Sequence, residues 1–171
     1  MELYFTKLEW EHHCFPIAAT SDGLCYVGAF DEPSELFEDW KRKYLPRAEV
    51  LIDDPGINPY REQLLGYLQG QRMIFTLPLH PIGTPFQLDV WQALQAVPYG
   101  STATYSEIAA AVSHPRAIRA VGTAIGKNRL LLVIPCHRIV GKNGDLIGYW
   151  GGLNMKRRLL ALEQEVSLNT M

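Results

Sequence analysis

The chain has 171 residues, 47% of them hydrophobic and 20% charged, with a mean hydropathy of −0.05; this is the composition of a folded globular protein and excludes a disordered, fibrous or membrane-embedded one. The net charge of −2 conceals a division: residues 1–83 hold 7 Lys and Arg against 13 Asp and Glu, a balance of −6, whereas residues 84–171 hold 9 against 5, a balance of +4, so a polyanion is expected to meet the second half. The first apolar stretch is interrupted by charges, no apolar run is long enough to span a membrane, and the three cysteines are an odd set, which together predict a cytoplasmic protein with free thiols and no membrane contact.

From the amino terminus, residues 16–20 and 24–29 flank Ser21-Asp22-Gly23 and are predicted to pair as a hairpin, because an Asp-Gly step accepts the positive φ of a tight turn. Leu36, Phe37, Trp40 and Tyr44 recur at helical spacing after Pro33. Leu64, Leu65 and Leu68 do so between Asn58-Pro59, read as N-cap and N1 proline, and a stop at Gly70. Residues 73–79 read as one more strand, and His80-Pro81-Ile82-Gly83 as a stiff linker. Residues 1–80 are thus expected to form a sheet-and-helix domain, and residues 84–171 a second, mainly helical one; the fold class is α/β in the broad α+β sense.

In the second half, Thr84-Pro85-Phe86-Gln87 offers a cap, an N1 proline and the closing residue of a capping box, for a helix to about Val97 that Pro98 and Gly100 stop. Thr104-Tyr105-Ser106-Glu107 offers a second box, for a helix to about Val112. After Ser113-His114-Pro115 a third helix follows, with Ala117, Ile118, Val121, Ala124 and Ile125 on one face. A short helix, a turn and a longer helix is helix-turn-helix spacing, although alone it reports ordinary helical packing more often than DNA.

After Asn128, residues 130–134 are apolar at every position and read as a buried strand delivering Pro135-Cys136-His137-Arg138 at its end. A thiol of ordinary pKa, about 8.5, must be deprotonated to attack, and His137 and Arg138 are the adjacent candidates for base and positive charge. Neighbours on a strand point to opposite faces, so His137 is expected to reach the sulfur through a water or a local bend. A cysteine beside such groups suits nucleophilic catalysis, of which a cysteine hydrolase is one reading, although no oxyanion-hole signature is evident. Cys14 and Cys25, with His12 and His13 nearby, match no compact zinc-ligand spacing, so neither metal nor cofactor is expected; Trp10, Trp40 and Trp91 are assigned to the core and His80 to the linker.

Pro135-Cys136-His137-Arg138-Ile139 resembles the active-site signature of the O6-alkylguanine-DNA alkyltransferases, in their single-protein Ogt-like type. Tyr105-Ser106-Glu107-Ile108-Ala109, Ala117-Ile118-Arg119-Ala120-Val121-Gly122, Asn128, Gly148-Tyr149-Trp150-Gly151-Gly152 and Lys156-Arg157-Arg158-Leu159-Leu160 are similar to that family in order and approximate spacing, over residues 84–163. The resemblance implies an RNase H-like sheet domain followed by a winged-helix-like domain carrying the helix-turn-helix. It implies irreversible, single-turnover transfer of an alkyl group from O6 of guanine, with O4 of thymine as a second candidate, to Cys136, the alternative being a lesion sensor that binds DNA through the same helix pair without transfer. His137 would take the thiol proton through a water, Glu163 would orient His137, and Tyr105 would donate a hydrogen bond to the leaving purine. Arg119 would enter the minor groove of double-stranded DNA and replace the flipped-out base, with Arg116, Ala120, Tyr105 and Asn128 beside the DNA; Tyr149, Trp150, Lys156 and Val140 would form or support the base pocket, at whose edge Cys136 is expected. A monomer is expected. Two positions depart from the family pattern: Trp150, where relatives commonly carry a smaller residue or an arginine, and Arg129, where they commonly carry proline.

Overall fold

A computed structural model describes residues 1–170 and divides the chain into two compact units, Met1–Ile82 and a second beginning at Gly83. In the first, β1 (Glu2–Trp10), β2 (His13–Thr20) and β3 (Gly23–Val27) run antiparallel, and β4 (Glu49–Ile52) joins β1 in parallel after helix α1 (Ser34–Tyr44), giving the order β3-β2-β1-β4. The Asp22-Gly23 hairpin lies where the sequence puts it, with Thr20 opposite Gly23. The aromatic stripe of α1 is what the sheet buries: Phe37 and Trp40 pack with Leu3, Ala18, Cys25 and Tyr26, and the Tyr26 ring lies 5.1 Å from Phe37 and 4.9 Å from Trp40. Helix α2 (Asn58–Leu68) buries Tyr60, Leu64, Tyr67 and Leu68.

Two expectations for this unit need correction. Asn58 is the first helical residue of α2 rather than its cap; a short 3-10 turn, Pro55–Ile57, precedes it, and there the Asp54 side chain accepts from the Gly56 N–H. Residues 73–79 do not form a strand. Only Leu79 bridges to Leu24, because Pro78 has no N–H to give a ladder; Thr76 instead exchanges hydrogen bonds with Gln63 of α2, at 2.8 and 3.0 Å, and Ile74 stays 72% exposed.

The second unit is built on helices α3 (Pro85–Gln95), α4 (Tyr105–Ala111), α5 (Ile118–Gly126) and α6 (Leu153–Asn169). Both capping boxes form as read, with Thr84 and Gln87 closing the start of α3 and Thr104 and Glu107 that of α4. The turn between α4 and α5 places Ser113 at φ 62°. Helix α5 buries Val121, Ala124 and Ile125, and Trp91 of α3 donates to the Ala124 carbonyl at 2.9 Å; Ile118, expected on the same face, is 42% exposed at the first turn. A two-stranded parallel sheet, β5 (Ala103–Thr104) with β6 (Ile139–Val140), brings the start of α4 beside the chain leaving Cys136.

Residues 130–134 are buried to the last residue, as their apolar character requires, but they form no strand. The backbone closes on itself: Val133 N–H donates to Leu131 O at 2.8 Å, Ile134 N–H to Leu130 O at 2.9 Å, and Leu132 sits at φ 70°. Burial on every side suits a knot of turns inside a core as well as it suits a central strand, and periodicity cannot separate the two. Among the described residues no helix is long and apolar enough to cross a membrane.

Candidate active site and nucleic-acid interface

The side chain that shapes the turn is Asn128, itself 1% exposed. Its Oδ1 accepts from Leu130 N–H at 2.9 Å, and its Nδ2 donates to Ile134 O at 3.0 Å and to Cys136 Sγ at 3.2 Å. One amide therefore pins both ends of the turn and aims a donor at the sulfur. Cys136 opens a 3-10 turn, Cys136–Arg138, which supplies the local bend that an extended strand would not.

Burial pushes the Cys136 thiol up, and the Asn128 hydrogen bond and the charges of Lys156 and Arg129 pull it only part of the way back, to about 11. At neutral pH the resting residue is a thiol and requires a base to become a nucleophile. His137 is fully buried, and Glu163 lies 2.6 Å from its Nε2. Burial, with Arg138 and Lys156 nearby, holds the imidazole below its ordinary pKa despite the carboxylate, so it is neutral at pH 7. Burial pushes Glu163 up, yet its hydrogen bonds to His137 and Arg138 and their charges outweigh this and carry it down to about 2. An ionised carboxylate only accepts, so Nε2 of His137 carries the hydrogen and Nδ1 is the basic nitrogen.

Arg138, expected to lower the thiol pKa, is turned away from that task. Its Nε and Nη2 donate to the two Glu163 oxygens at 2.8 and 3.1 Å, and its Nη1 donates to Val97 O at 2.7 Å, past the end of α3. Gly100 completes the set, donating its N–H to Glu163 Oε1 at 3.1 Å; a Cβ there would stand 2.2 Å from Ser167 Oγ, and φ is 79°, so only glycine brings this backbone so close to α6. The sequence showed Gly100 as a helix stop and did not show it, or Arg138, as partners of Glu163; the only signal was that a buried carboxylate must be paired.

Of the other residues expected at the base pocket, Tyr149 and Trp150 lie on the loop before α6, and Lys156 and Tyr105 bond to that loop. Lys156, wholly buried, donates to the carbonyls of Ile147 and Gly148 at 3.2 and 3.1 Å, and the Tyr105 hydroxyl donates to Ile147 O at 2.9 Å. Burial lowers the Lys156 pKa and raises that of Tyr105, which keeps the phenol a donor. The Tyr149 hydroxyl is buried with no hydrogen-bond partner, and burial followed by the charge of Cys136 raises its pKa well above the ordinary value. Val140 is buried opposite Thr104 in the small sheet. Trp150 is 38% exposed, with the Arg129 guanidinium 3.4 Å from its ring centroid. Cys136, expected at the pocket edge, is 5% exposed.

A separate groove of about 650 Å³ runs along α5, lined by Phe86, Arg116, Arg119, Ala120 and Thr123 among others, and Cys136 is not in its lining. Arg116, Arg119 and Ala120 are exposed, on the positive half of the chain. Among the described residues no group of three or more His, Cys, Asp or Glu is placed to hold a metal ion; His13 pairs with Asp31 at 2.7 Å, and Cys25 donates to Ala18 O at 3.4 Å.

Residues 85–165 match the family model of the 6-O-methylguanine DNA methyltransferase DNA-binding domain. The inducible methylated-DNA–protein-cysteine methyltransferase of Bacillus subtilis is 46% identical over 165 residues, covering 96% of this chain and 92% of its own length. A methylated-DNA–protein-cysteine methyltransferase of Methanosarcina acetivorans is 48% identical over 147 residues, 86% of this chain and 89% of its own. Among solved structures, the Mycobacterium tuberculosis OGT in complex with DNA superimposes with a TM-score of 0.80 at 34% identity, covering 95% of this chain and 94% of that one. The O6-methylguanine methyltransferase of the same organism gives a TM-score of 0.81 at 32% identity, with 95% and 93% covered.

Proposed function

Because the chain belongs to the methylated-DNA–protein-cysteine methyltransferase family, we propose that it repairs alkylated DNA by taking the alkyl group from O6 of guanine onto Cys136, once per molecule. The observation that carries the assignment to Cys136 is the buried network behind it. A carboxylate kept ionised by His137 and Arg138, and bonded also by the Gly100 N–H, holds the Nε2–H of His137, the residue next to a thiol that stays protonated until a base acts on it.

Nδ1 of His137 accepts the thiol proton through a bridging water, and Asn128 donates to the sulfur as its charge develops. The thiolate attacks the alkyl carbon; the S–C bond forms as the C–O6 bond breaks, and the electron pair goes to the purine. Tyr105, kept protonated, transfers its hydrogen bond from Ile147 O to that purine and steadies the charge. The thioether has no leaving group that water displaces, so the protein is not regenerated.

Residues 84–171 are the DNA-binding and catalytic domain in this reading. A duplex does not present the alkyl carbon for in-line attack, so the nucleotide leaves the stack, and Arg119 on the outer face of α5 enters the minor groove to fill the gap, with Arg116 and Ala120 against the backbone. Incubation with duplex DNA bearing O6-methylguanine should add one methyl group per molecule, located on the peptide containing Cys136 and lost in Cys136→Ser. A chain of unchanged mass, or one that repairs many lesions per molecule, rejects the assignment.

A further inference from the structure

At 5% exposure, the sulfur of Cys136 leaves little room for an alkyl group larger than methyl until part of its cover moves. Asn128 donates to the sulfur at 3.2 Å, and the next residue, Arg129, holds its guanidinium 3.4 Å from the ring centroid of Trp150, which follows Tyr149 and its buried hydroxyl on the loop before α6.

Arg129 is fixed from behind. Its Nη1 donates to the carbonyls of Gly126 and Asn128, both at 2.9 Å, which ties it to the end of α5. Trp150 rests on a hinged segment. Lys156 and Tyr105 hold the loop as far as the carbonyls of Ile147 and Gly148. Beyond them, Gly148 at φ +56° and Gly152 at φ +87° bracket residues 149–151, and among the described residues no atom beyond the chain neighbours lies within 4 Å of where a Cβ would stand at either. Such positions absorb a change of φ and ψ at little cost. Displacing Trp150 disturbs a stack at the surface, whereas displacing Asn128 or Lys156 would break the hydrogen bonds that shape the turn and the loop.

We propose that the stack of Arg129 on Trp150 is a latch over Cys136 that sets how large an alkyl group the protein accepts. The inference rests on Cys136 being the acceptor. A methyl group passes with the stack in place, whereas a benzyl group requires Trp150 to swing out and the cation–π contact to be given up. The pair acts by positioning and touches neither the transferred carbon nor the leaving oxygen.

The test compares single-turnover rates of the full-length protein on duplex DNA bearing O6-methylguanine and O6-benzylguanine, read by intact mass. Arg129→Ala, Trp150→Ala, their double variant and Arg129→Lys are set beside the unsubstituted chain. The benzyl-to-methyl rate ratio should rise about 3- to 30-fold in each alanine variant, the span between an exposed and a desolvated cation–π contact. The double variant should rise no further than the larger single one, and Arg129→Lys, which keeps a cation but not the flat guanidinium, should fall between. A ratio unmoved in both alanine variants, or a double variant whose gain is the product of the single gains, overturns the latch. An unsubstituted chain that gains mass from neither substrate overturns the assignment of Cys136 instead.

Discussion

At the scale of single residues the site resolves an apparent conflict between a buried nucleophile and a reaction that needs a thiolate. Burial keeps Cys136 protonated, up to about 11, and the same burial holds His137 below its ordinary pKa and therefore unprotonated and basic at neutral pH. The sign of the second shift makes a test. A histidine of ordinary pKa, about 6.5, would lose its basic form as pH falls through that value. His137 has its pKa lowered in the folded protein, so its capacity as a base persists to lower pH. The rate of alkyl transfer from free O6-benzylguanine, which avoids the pH dependence of DNA binding, should stay level from pH 7.5 to about 6.5 and reach its half-point below that value. A half-point at or above pH 6.5 would exclude the buried imidazole as the base. The same linkage acts on stability: His137 must stay neutral and Glu163 ionised in the native state, so stability declines as pH drops below about 6.5 and falls further through the range from about 4.5 to about 2 in which Glu163 titrates.

At the scale of elements, the sequence spoke clearly wherever a local rule decides the outcome. The boxes at Thr84 and Thr104, the Asp22-Gly23 hairpin and the apolar faces of α1 and α5 each follow from side chains within four residues of one another. It spoke poorly where a partner distant in the chain decides. Residues 73–79 lose their strand to the Gln63 side chain and Pro78, residues 130–134 fold into a turn because Asn128 bridges their ends, and β4 is a strand because it pairs with the distant β1. The same division runs through the site: Cys136, His137, Glu163 and Asn128 were legible from a motif, while Gly100 and Arg138 became partners of Glu163 only through tertiary packing. Helix α5 presents Arg119 to solvent on the face opposite Val121, Ala124 and Ile125, with the exposed Ala120 beside it, which suits it to lie against DNA without disturbing the core. Arg119→Ala should accordingly slow repair of O6-methylguanine in a duplex about 10- to 100-fold, the kinetic equivalent of the few kcal/mol that an unfilled gap in the stack costs. Transfer from free O6-benzylguanine, which has no stack to fill, should change far less, and equal slowing of the two reactions would remove the wedge role from Arg119.

Across the whole molecule, charge separates more sharply than the total suggests, with −6 on residues 1–83 and +4 on residues 84–171. A net-negative protein gains no general attraction to DNA, so binding depends on the few cations that meet phosphates, and besides the wedge Arg119 the exposed Arg116 and Lys127 flank α5. Each phosphate neutralised releases counterions and contributes a slope of about −0.9 to log K against log salt, so two contacts predict a total near −2. Arg116 approaches α5 from its amino-terminal side and lines the groove, which makes it the backbone contact least entangled with the flipped base. Arg116→Ala should weaken binding to lesion-bearing and undamaged duplexes alike and reduce the slope by about 1, because a phosphate contact carries no information about the base. Measuring duplex affinity by fluorescence anisotropy over a range of salt concentrations separates the possibilities. A slope near zero would detach α5 from the phosphate backbone altogether, and an Arg116→Ala effect confined to the lesion-bearing duplex would move Arg116 from the backbone to the base.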